Sequence, residues 1–334
     1  MSQEYVSRII AYAKQAGLTE LNLAGRGIQV LPREICDLTQ LVKLNLGCNE
    51  LSSLPPEISS LSKLEELYLW GNCFCEFPNE VFELKQLKSL DLSSNRLTDG
   101  IPAGIGQLSR LENLELDNNE LTGVPAEIGQ LGQLQELILH SNHIGSLPSE
   151  VSGLVSLKEL DLMSNRLSAV PAEIGCLRSL TRLDLCLNLL TSIPATIGDL
   201  TELIHLSLGN NKLDVLPAEI CGLPSLKMLN IARNLLTTLP LEIGQLSELI
   251  ILELSENNLT SLPVEIGTLS NLKGLHVDSN QLTELPVEIA QIPGLEELDV
   301  SGNQLTSLPE AVQYMFSLRD LLVSNNPMSD PGSE

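Results

Sequence analysis

The chain has 334 residues and a formal net charge of −24, with 43% hydrophobic but only 3% aromatic residues. So acidic a chain lacks the basic surface that contact with nucleic-acid phosphates requires, and we therefore expect no nucleic-acid partner. The sequence shows neither a signal-peptide pattern nor an apolar run long enough to cross a membrane, so we expect no membrane partner either.

The first predicted element is an α-helix over residues 2–15. Ser2 is a suitable N-cap, apolar residues such as Val6 and Ile10 recur at helical spacing, and Gly17 ends the pattern. We expect this helix to cover one end of the structure that follows it. Membrane binding is the alternative, which the small number of cationic residues in the segment disfavours.

From residue 18 onward, one sequence unit recurs almost to the end of the chain. The copy at residues 111–133 reads LENLELDNNELTGVPAEIGQLGQ and fits the frame LxxLxLxxNxL followed by xxVPxxIxxL. The step between copies is 23 residues, except for one step of 24 residues from Leu87 to Leu111. A fixed period of this length indicates a stack of structural repeats. The copies begin at Leu18, Leu41, Leu64, Leu87, Leu111, Leu134, Leu157, Leu180, Leu203, Leu226, Leu249, Leu272, Leu295 and Leu318.

The first half of each repeat predicts a short β-strand. Leu114 and Leu116 are two residues apart, so in an extended segment they point to one side while Glu115 points to the other. Equivalent strands of successive repeats can pair only in parallel, about 4.8 Å apart. The leucines then form a continuous core, and the polar side chains form one exposed, concave sheet face.

The second half of each repeat predicts a tight return. The amide of Asn119 can bond backbone groups that the bend would otherwise leave unsatisfied. Pro125 suits the first position of a short helical turn, and Glu127 places a carboxylate near the positive end of that turn. We expect Gly129 to end the turn in a left-handed conformation.

The end of the repeats is predicted from bulky side chains. Tyr314, Met315 and Phe316 are expected to cover the far end of the stack. We predict one elongated domain, with a capping helix at residues 1–17, thirteen full repeats at residues 18–317, and a truncated repeat and tail at residues 318–334.

These motifs resemble the leucine-rich repeat family over residues 18–323. The resemblance implies an α/β solenoid, a right-handed horseshoe with a parallel sheet on its concave face and short helical turns and extended segments on its convex face. The LPxxIxxL form of the repeat is similar to the Ras-pathway scaffold proteins, their intracellular plant relatives and the repeat arms of Roco proteins. It therefore implies a protein partner such as a small GTPase, a phosphatase or another signalling protein, although the chain has no RVxF-like phosphatase-docking sequence.

The candidate binding residues are outward side chains that the repeat does not dictate. Trp70 is the only tryptophan, and Trp, Tyr and Arg dominate protein interfaces. A first contact zone is therefore predicted at Glu66, Tyr68 and Trp70, with packing of Trp70 over Tyr68 as the alternative. A second zone is apolar and basic, with random variation on a solvated sheet as the alternative, and its members are Ile138, His140, Met163, Arg166, Arg182, Leu187, His205, Met228 and Arg233.

Catalytic and metal-binding patterns are weak. The sequence has no phosphate-binding GKS or GKT loop, no HExxH and no GxSxG. His140 and His143 could share a metal, but their three-residue spacing spans a strand end rather than a helix. Three further pairs could carry chemistry but are also explained by stacked repeats or free surface thiols: Asp91 with Glu115, Asp161 with Asp184, and Cys73 with Cys75. We therefore predict no enzymatic activity, no metal and no cofactor.

Seven scattered cysteines favour a reducing compartment, so we expect a cytoplasmic protein, and we expect a monomer. The predicted function is a non-enzymatic scaffold in intracellular signalling that binds a protein on its concave face. The alternative is the recognition arm of a larger enzyme, a GTPase or ubiquitin ligase, whose catalytic domain lies outside this chain.

Overall fold

The computed structural model describes residues 3–328, which fall into two compact units, Met1–Arg166 and Leu167–Glu334. Each unit is a series of repeats in which a three-residue β-strand is followed by a five-residue 3₁₀-helix. The solenoid of parallel strands and short helical turns that the sequence predicts is therefore confirmed within each unit.

The first unit begins with helix α1, Gln3–Ala16. Val6, Ile10 and Ala13 lie on its buried face, and Lys14 forms an ion pair of 2.7 Å with Asp37 of the first 3₁₀-helix. Gly17 has a positive φ of 63° and ends the helix, as predicted. The predicted cap, Ser2, lies outside the described residues.

Within each unit, every strand pairs in parallel with the next strand along the chain. The strands of the first unit are β1 (Glu20–Asn22), β2 (Lys43–Asn45), β3 (Glu66–Tyr68), β4 (Ser89–Asp91), β5 (Asn113–Glu115), β6 (Glu136–Ile138) and β7 (Glu159–Asp161). Those of the second unit are β8 (Arg182–Asp184), β9 (His205–Ser207), β10 (Met228–Asn230), β11 (Ile251–Glu253), β12 (Gly274–His276), β13 (Glu297–Asp299) and β14 (Asp320–Leu322).

The 3₁₀-helices lie on the opposite side of the core from the outward strand side chains. In the first unit they are Arg33–Asp37, Pro56–Ser60, Asn79–Glu83, Ala103–Gln107, Ala126–Gln130 and Ser149–Gly153. In the second unit they are Ala172–Cys176, Ala195–Asp199, Ala218–Gly222, Leu241–Gln245, Val264–Thr268, Val287–Gln291 and Glu310–Tyr314.

The predicted leucine core is present in both units. Leu114 and Leu116 of the fifth repeat are fully buried, and Leu252 and Leu254 are their buried counterparts in the second unit. Each strand therefore has a buried side and an outward side, as the alternation of residues predicts.

A column of buried asparagines joins successive repeats. Nδ2 of Asn119 donates to the carbonyls of Leu92, 3.0 Å away, and Leu116, 3.1 Å away. Its Oδ1 accepts from the backbone N–H of Leu97 at 3.0 Å. The amide thus satisfies backbone groups of its own repeat and of the repeat before it, as predicted.

Two details of the return half differ from the prediction. Pro125 is not the first helical residue but the extended residue before it, with φ −78° and ψ 160°. Gly129 lies inside the 3₁₀-helix and has no positive φ. Its role is close packing, because a Cβ at this position would collide with the carbonyl group of Glu150 in the next 3₁₀-helix.

We expect Gly129→Ala to lower the free energy of unfolding by about 1–2 kcal/mol, because backbone atoms of the next turn must move to accept the methyl group. Gly145→Ala is the matched control, since nothing lies within 4 Å of the Cβ it would add. Urea denaturation of both variants measures the difference. Equal stabilities would contradict the packing role.

The predicted cover of the C-terminal end is wrong for Tyr314 and Phe316, although Met315 is half-buried. Tyr314 is 62% exposed and Phe316 is 100% exposed, so neither side chain packs over the last repeat. Leu321 and Leu322 of β14 are also exposed. The last six residues of the predicted tail, 329–334, lie outside the described part of the chain.

Candidate functional site

The outward side chains of the strands and of the residues just after them form what we call the strand face, which each unit carries separately. The residues come from the third, fifth, seventh, eighth and tenth places of each repeat. The parallel register fixes their neighbours: Lys43, for example, lies beside Glu66, and Met228 lies beside Ile251. Since the core and the asparagine column occupy other positions, the strand face is where side chains can vary without loss of the fold.

The first predicted contact zone is an ordered cluster in the first unit, the Tyr68 cluster, formed by Lys43, Glu66, Tyr68 and Trp70. Nζ of Lys43 lies 2.7 Å from Oε2 of Glu66 and 5.1 Å from the centre of the Tyr68 ring. The Tyr68 hydroxyl donates to Oε2 of Glu66 at 2.8 Å. These hydrogen bonds, from Lys43 first and Tyr68 second, lower the pKa of Glu66, while burial raises the pKa of Tyr68.

Trp70 and Tyr68 are both half-buried, so neither lies in the hydrophobic interior. The indole of Trp70 covers Gly47 of the preceding repeat, where a Cβ would collide with the ring. The packing alternative therefore describes part of what Trp70 does, although its partner is Gly47. The remaining surface of both rings is open to solvent and available for contact.

A group of carboxylates follows the Tyr68 cluster on the same face. Asp91 and Glu115 are register partners on β4 and β5, as expected, and Asp117 and Glu136 lie near them. Burial first, and repulsion by Asp91 second, raise the pKa of Glu115 to about 7. Burial also raises the pKa of Asp91, although Ser93 donates two hydrogen bonds to it. The open face cannot exclude water from these carboxylates.

The residues predicted for the second zone divide between the two units. In the first unit, Ile138, His140 and Met163 are half-buried and Arg166 is exposed. In the second unit, Met228 is half-buried, and the exposed members are Arg182, Leu187, His205 and Arg233. Arg182, His205 and Met228 are successive register partners, so the strand face brings these three together.

The histidine and cysteine candidates form neither a metal site nor a disulfide among residues 3–328. Nε2 of His140 lies 3.6 Å from Oδ2 of Asp117, and its Nδ1 lies 3.2 Å from the Ser141 hydroxyl. Between residues 3 and 328, no group of three or more His, Cys, Asp or Glu side chains could hold a metal ion. All seven cysteines are free, with Cys73 half-buried and Cys75 exposed. Asp161 and Asp184 belong to different units.

A histidine site that the sequence reading missed lies in the second unit. Nδ1 of His276 is 2.8 Å from Oε2 of Glu253, and its Nε2 is 3.5 Å from Oε2 of Glu297. The hydrogen bond with Glu253 raises the pKa of His276. Burial favours the neutral form of Glu253, but hydrogen bonds from His276 and Ser255 outweigh it and lower the Glu253 pKa.

His276 also lines an open depression of about 430 Å³ with Asp278, Asp299, Leu298 and Leu322 among its other walls. The signal in the sequence was its fifth place in the repeat, between Glu253 and Asp299 in the neighbouring repeats. The predicted zones were chosen for aromatic, apolar and basic residues, so a histidine between carboxylates was not among them. Leu235, which is 49% exposed, was missed as well.

Among residues 3–328, no helix is both long and apolar enough to cross a bilayer.

Comparison with solved structures supports the repeat architecture. A leucine-rich repeat protein of Leptospira interrogans is 35% identical, with a TM-score of 0.81 over 96% of this chain and 93% of that one. The ectodomain of the Arabidopsis receptor kinase HAESA, in complex with an N-terminally extended IDA peptide hormone, is 32% identical with a TM-score of 0.75. The match covers 94% of this chain but only 55% of the HAESA chain, so this protein spans about half of that ectodomain.

An internalin, InlF of Listeria monocytogenes, is 21% identical with a TM-score of 0.82 over 98% of this chain and 94% of that one, a likeness of fold alone. Comparison with curated proteins found no match. The family model "Leucine rich repeat" matches residues 16–74, 62–121, 109–167, 178–236 and 270–328. With this model covering most of the chain, and with the strands, core and asparagine column that its motif requires, the protein belongs to the leucine-rich repeat family.

Proposed function

We propose that this chain is a non-enzymatic scaffold that binds a partner protein on its strand face. The observation that carries the proposal is the Tyr68 cluster, in which two half-buried aromatic rings and a charged pair lie on β2, on β3 and just after β3. Aromatic side chains provide much of the binding energy at protein interfaces. Since the Tyr68 hydroxyl is already bonded to Glu66, which Lys43 holds in turn, less side-chain freedom is lost on binding.

The likeness to HAESA, whose structure contains a bound peptide hormone, supports a protein or peptide as the ligand. A signalling role, with a small GTPase or a phosphatase as the partner, is the finer part of the proposal and rests on the LPxxIxxL form of the repeat. The scattered, odd set of cysteines supports a site of action in the cytoplasm.

We expect the double substitution Tyr68→Ala and Trp70→Ala to weaken capture of the partner at least about tenfold, since interface aromatics each contribute on the order of 2 kcal/mol. Affinity capture from cell extract, quantified by mass spectrometry against the unaltered protein, measures this. Because Trp70 packs over Gly47, thermal unfolding is recorded for the same variant, and capture is compared below the unfolding midpoints of both proteins.

The matched control is Tyr314→Ala with Phe316→Ala, which removes two aromatic rings that are 62% and 100% exposed. We expect this control to capture the partner as well as the unaltered protein. If both double variants lose capture equally, or if neither loses it, the assignment of the Tyr68 cluster fails.

A further inference from the structure

A second feature of the strand face lies in the loops that follow β8, β9 and β10. We call it the Leu187 ledge, and it consists of Leu187, Leu189, Lys212, Arg233 and Leu235. These residues occupy the eighth and tenth places of three successive repeats of the second unit, after the strands and on the side away from the 3₁₀-helices.

Backbone hydrogen bonds hold the three loops in register. The N–H of Leu187 donates to the carbonyl of Gly209 at 2.9 Å, that of Lys212 to Leu190 at 2.8 Å, and that of Leu235 to Leu213 at 2.8 Å. Successive loops are therefore spaced like neighbouring strands, about 4.8 Å apart. Three loops span roughly 10 Å, which matches about three residues of an extended peptide.

The ledge exposes three leucines within this short distance. Leu187 is 48% exposed, Leu189 is 43% exposed and Leu235 is 49% exposed. Single exposed leucines are ordinary on protein surfaces, but adjacent ones expose apolar area that burial against a partner would stabilise. Elsewhere in these repeats the leucines of the frame, such as Leu185 and Leu208, are fully buried.

Leu187 also has a backbone conformation that does not suit leucine. Its φ is +55°, in the left-handed region where the Cβ of an ordinary side chain crowds the following carbonyl group. The fold demands this conformation at the eighth place, but other repeats of the second unit fill it with polar residues or glycine: Asn210, Arg233, Glu256, Ser279, Gly302 and Asn325. Leu187 is therefore exposed and has a backbone conformation that disfavours leucine. The fold does not explain why a leucine occupies this position.

The two cations of the ledge, Lys212 and Arg233, indicate the charge of the segment that can bind there. Lys212 is exposed and forms no ion pair within residues 3–328, and Nε of Arg233 lies 2.8 Å from the exposed Glu256 carboxylate. On a chain with a net charge of −24, a place with two cations between apolar side chains is unusual. Its charge complements carboxylates, and its leucines complement apolar side chains.

We propose that the Leu187 ledge binds an extended, apolar and acidic segment of a partner protein, with a carboxylate on Lys212 and apolar side chains on the leucines on either side. This inference rests on the proposed function, because it names the chemistry of the segment that a partner on the strand face presents to the second unit.

Short fluorescein-labelled peptides test the chemistry directly. One peptide class combines Leu with Glu, a second combines Leu with Lys, and a third combines Ser with Glu, and their binding to the full chain is followed by fluorescence anisotropy at physiological salt. We expect the Leu–Glu class to bind more tightly than the Ser–Glu class. We expect the Leu–Lys class to bind other, acidic parts of the surface, so its affinity is compared only between variants.

Two substitutions, Leu187→Asn and Lys212→Glu, are expected to weaken the Leu–Glu class at least about fivefold each, the lower range of a lost interface contact. Asparagine suits the left-handed backbone, so Leu187→Asn is expected to fold at least as well as the unaltered protein. The matched controls are Leu241→Asn, which changes a leucine that is 64% exposed on a 3₁₀-helix, and Lys227→Glu, which makes the same charge change at the exposed residue just before β10.

Loss of Leu–Glu binding in the two ledge variants, with retention in the controls and no loss of Leu–Lys binding, would support the inference. It is overturned if the Leu–Glu class does not bind, or if Lys227→Glu weakens binding as much as Lys212→Glu. If the ledge variants still capture the whole partner while the Tyr68 and Trp70 variant does not, the ledge inference fails and the proposed function stands. If neither the ledge variants nor the Tyr68 and Trp70 variant loses capture of the partner, the proposed function fails as well.

Discussion

Replacing Asn119 with alanine is expected to lower the free energy of unfolding by about 3 kcal/mol, more than the other single substitutions considered for this chain. Its amide is 7% exposed and bonds the backbone at Leu92, Leu97 and Leu116. Alanine cannot replace any of these bonds, and a buried N–H or carbonyl group left without a partner costs about 1–3 kcal/mol. Not all three losses add fully, because the loop can shift and water can enter. Urea denaturation followed by circular dichroism measures the change.

The control for this prediction is Asn271→Ala. Asn271 also donates a side-chain hydrogen bond to a backbone carbonyl, that of Ser247 at 2.8 Å, but this bond is exposed to solvent. Water replaces an exposed bond at little cost, so we expect a loss below about 0.5 kcal/mol. If Asn119→Ala were as mild as Asn271→Ala, the buried amide column would not be what holds successive repeats together.

The second large effect is a dependence of stability on pH that arises from Glu115. Its pKa is raised from 4.5 to about 7 by burial and by the charges of Asp91, Asp117 and Glu136. The folded chain therefore holds a proton that the unfolded chain has already released. The stability due to this proton is fully present below pH 4.5 and is lost as the pH rises to about 7.

We expect Glu115→Gln to stabilise the protein at pH 8 by about 2 kcal/mol, a value reduced from the full linkage energy because the side chain is only half-buried. At pH 4.5 the substitution should change stability little. The measurement is the free energy of unfolding of both proteins from pH 4.5 to 8. Glu120→Gln, an exposed carboxylate of the same repeat, is the control, and equal pH profiles for all three proteins would contradict the prediction.

Much of the fold can be predicted from the sequence because the same pattern of residues recurs in each repeat. The alternation of Leu114, Glu115 and Leu116 predicts the strand, and the position of Asn119 predicts the amide bonds, since both depend on contacts that recur in every copy. The roles of Pro125 and Gly129 could not be predicted in this way. They depend on the 3₁₀ geometry of the turn and on how closely the carbonyl group of Glu150 approaches it.

The candidate site is less predictable, because the repeat leaves most outward side chains unspecified. Trp70 is recognisable as unusual from the sequence, but its packing over Gly47 depends on a glycine in the neighbouring repeat. The raised pKa of Glu115 could not be predicted either, because a position that points outward turns out to be half-buried. The end of the second unit was mispredicted, since bulky residues such as Phe316 can remain in solvent.

The most direct test of the binding account is hydrogen–deuterium exchange of this protein with and without its captured partner. We expect the partner to slow exchange in the strands and in the loops that follow them, above all around residues 66–73 and 185–190. Exchange in the 3₁₀-helices, such as Ala126–Gln130, should stay the same. Protection confined to the 3₁₀-helices would contradict the account, because the partner would then bind the opposite side of the repeats.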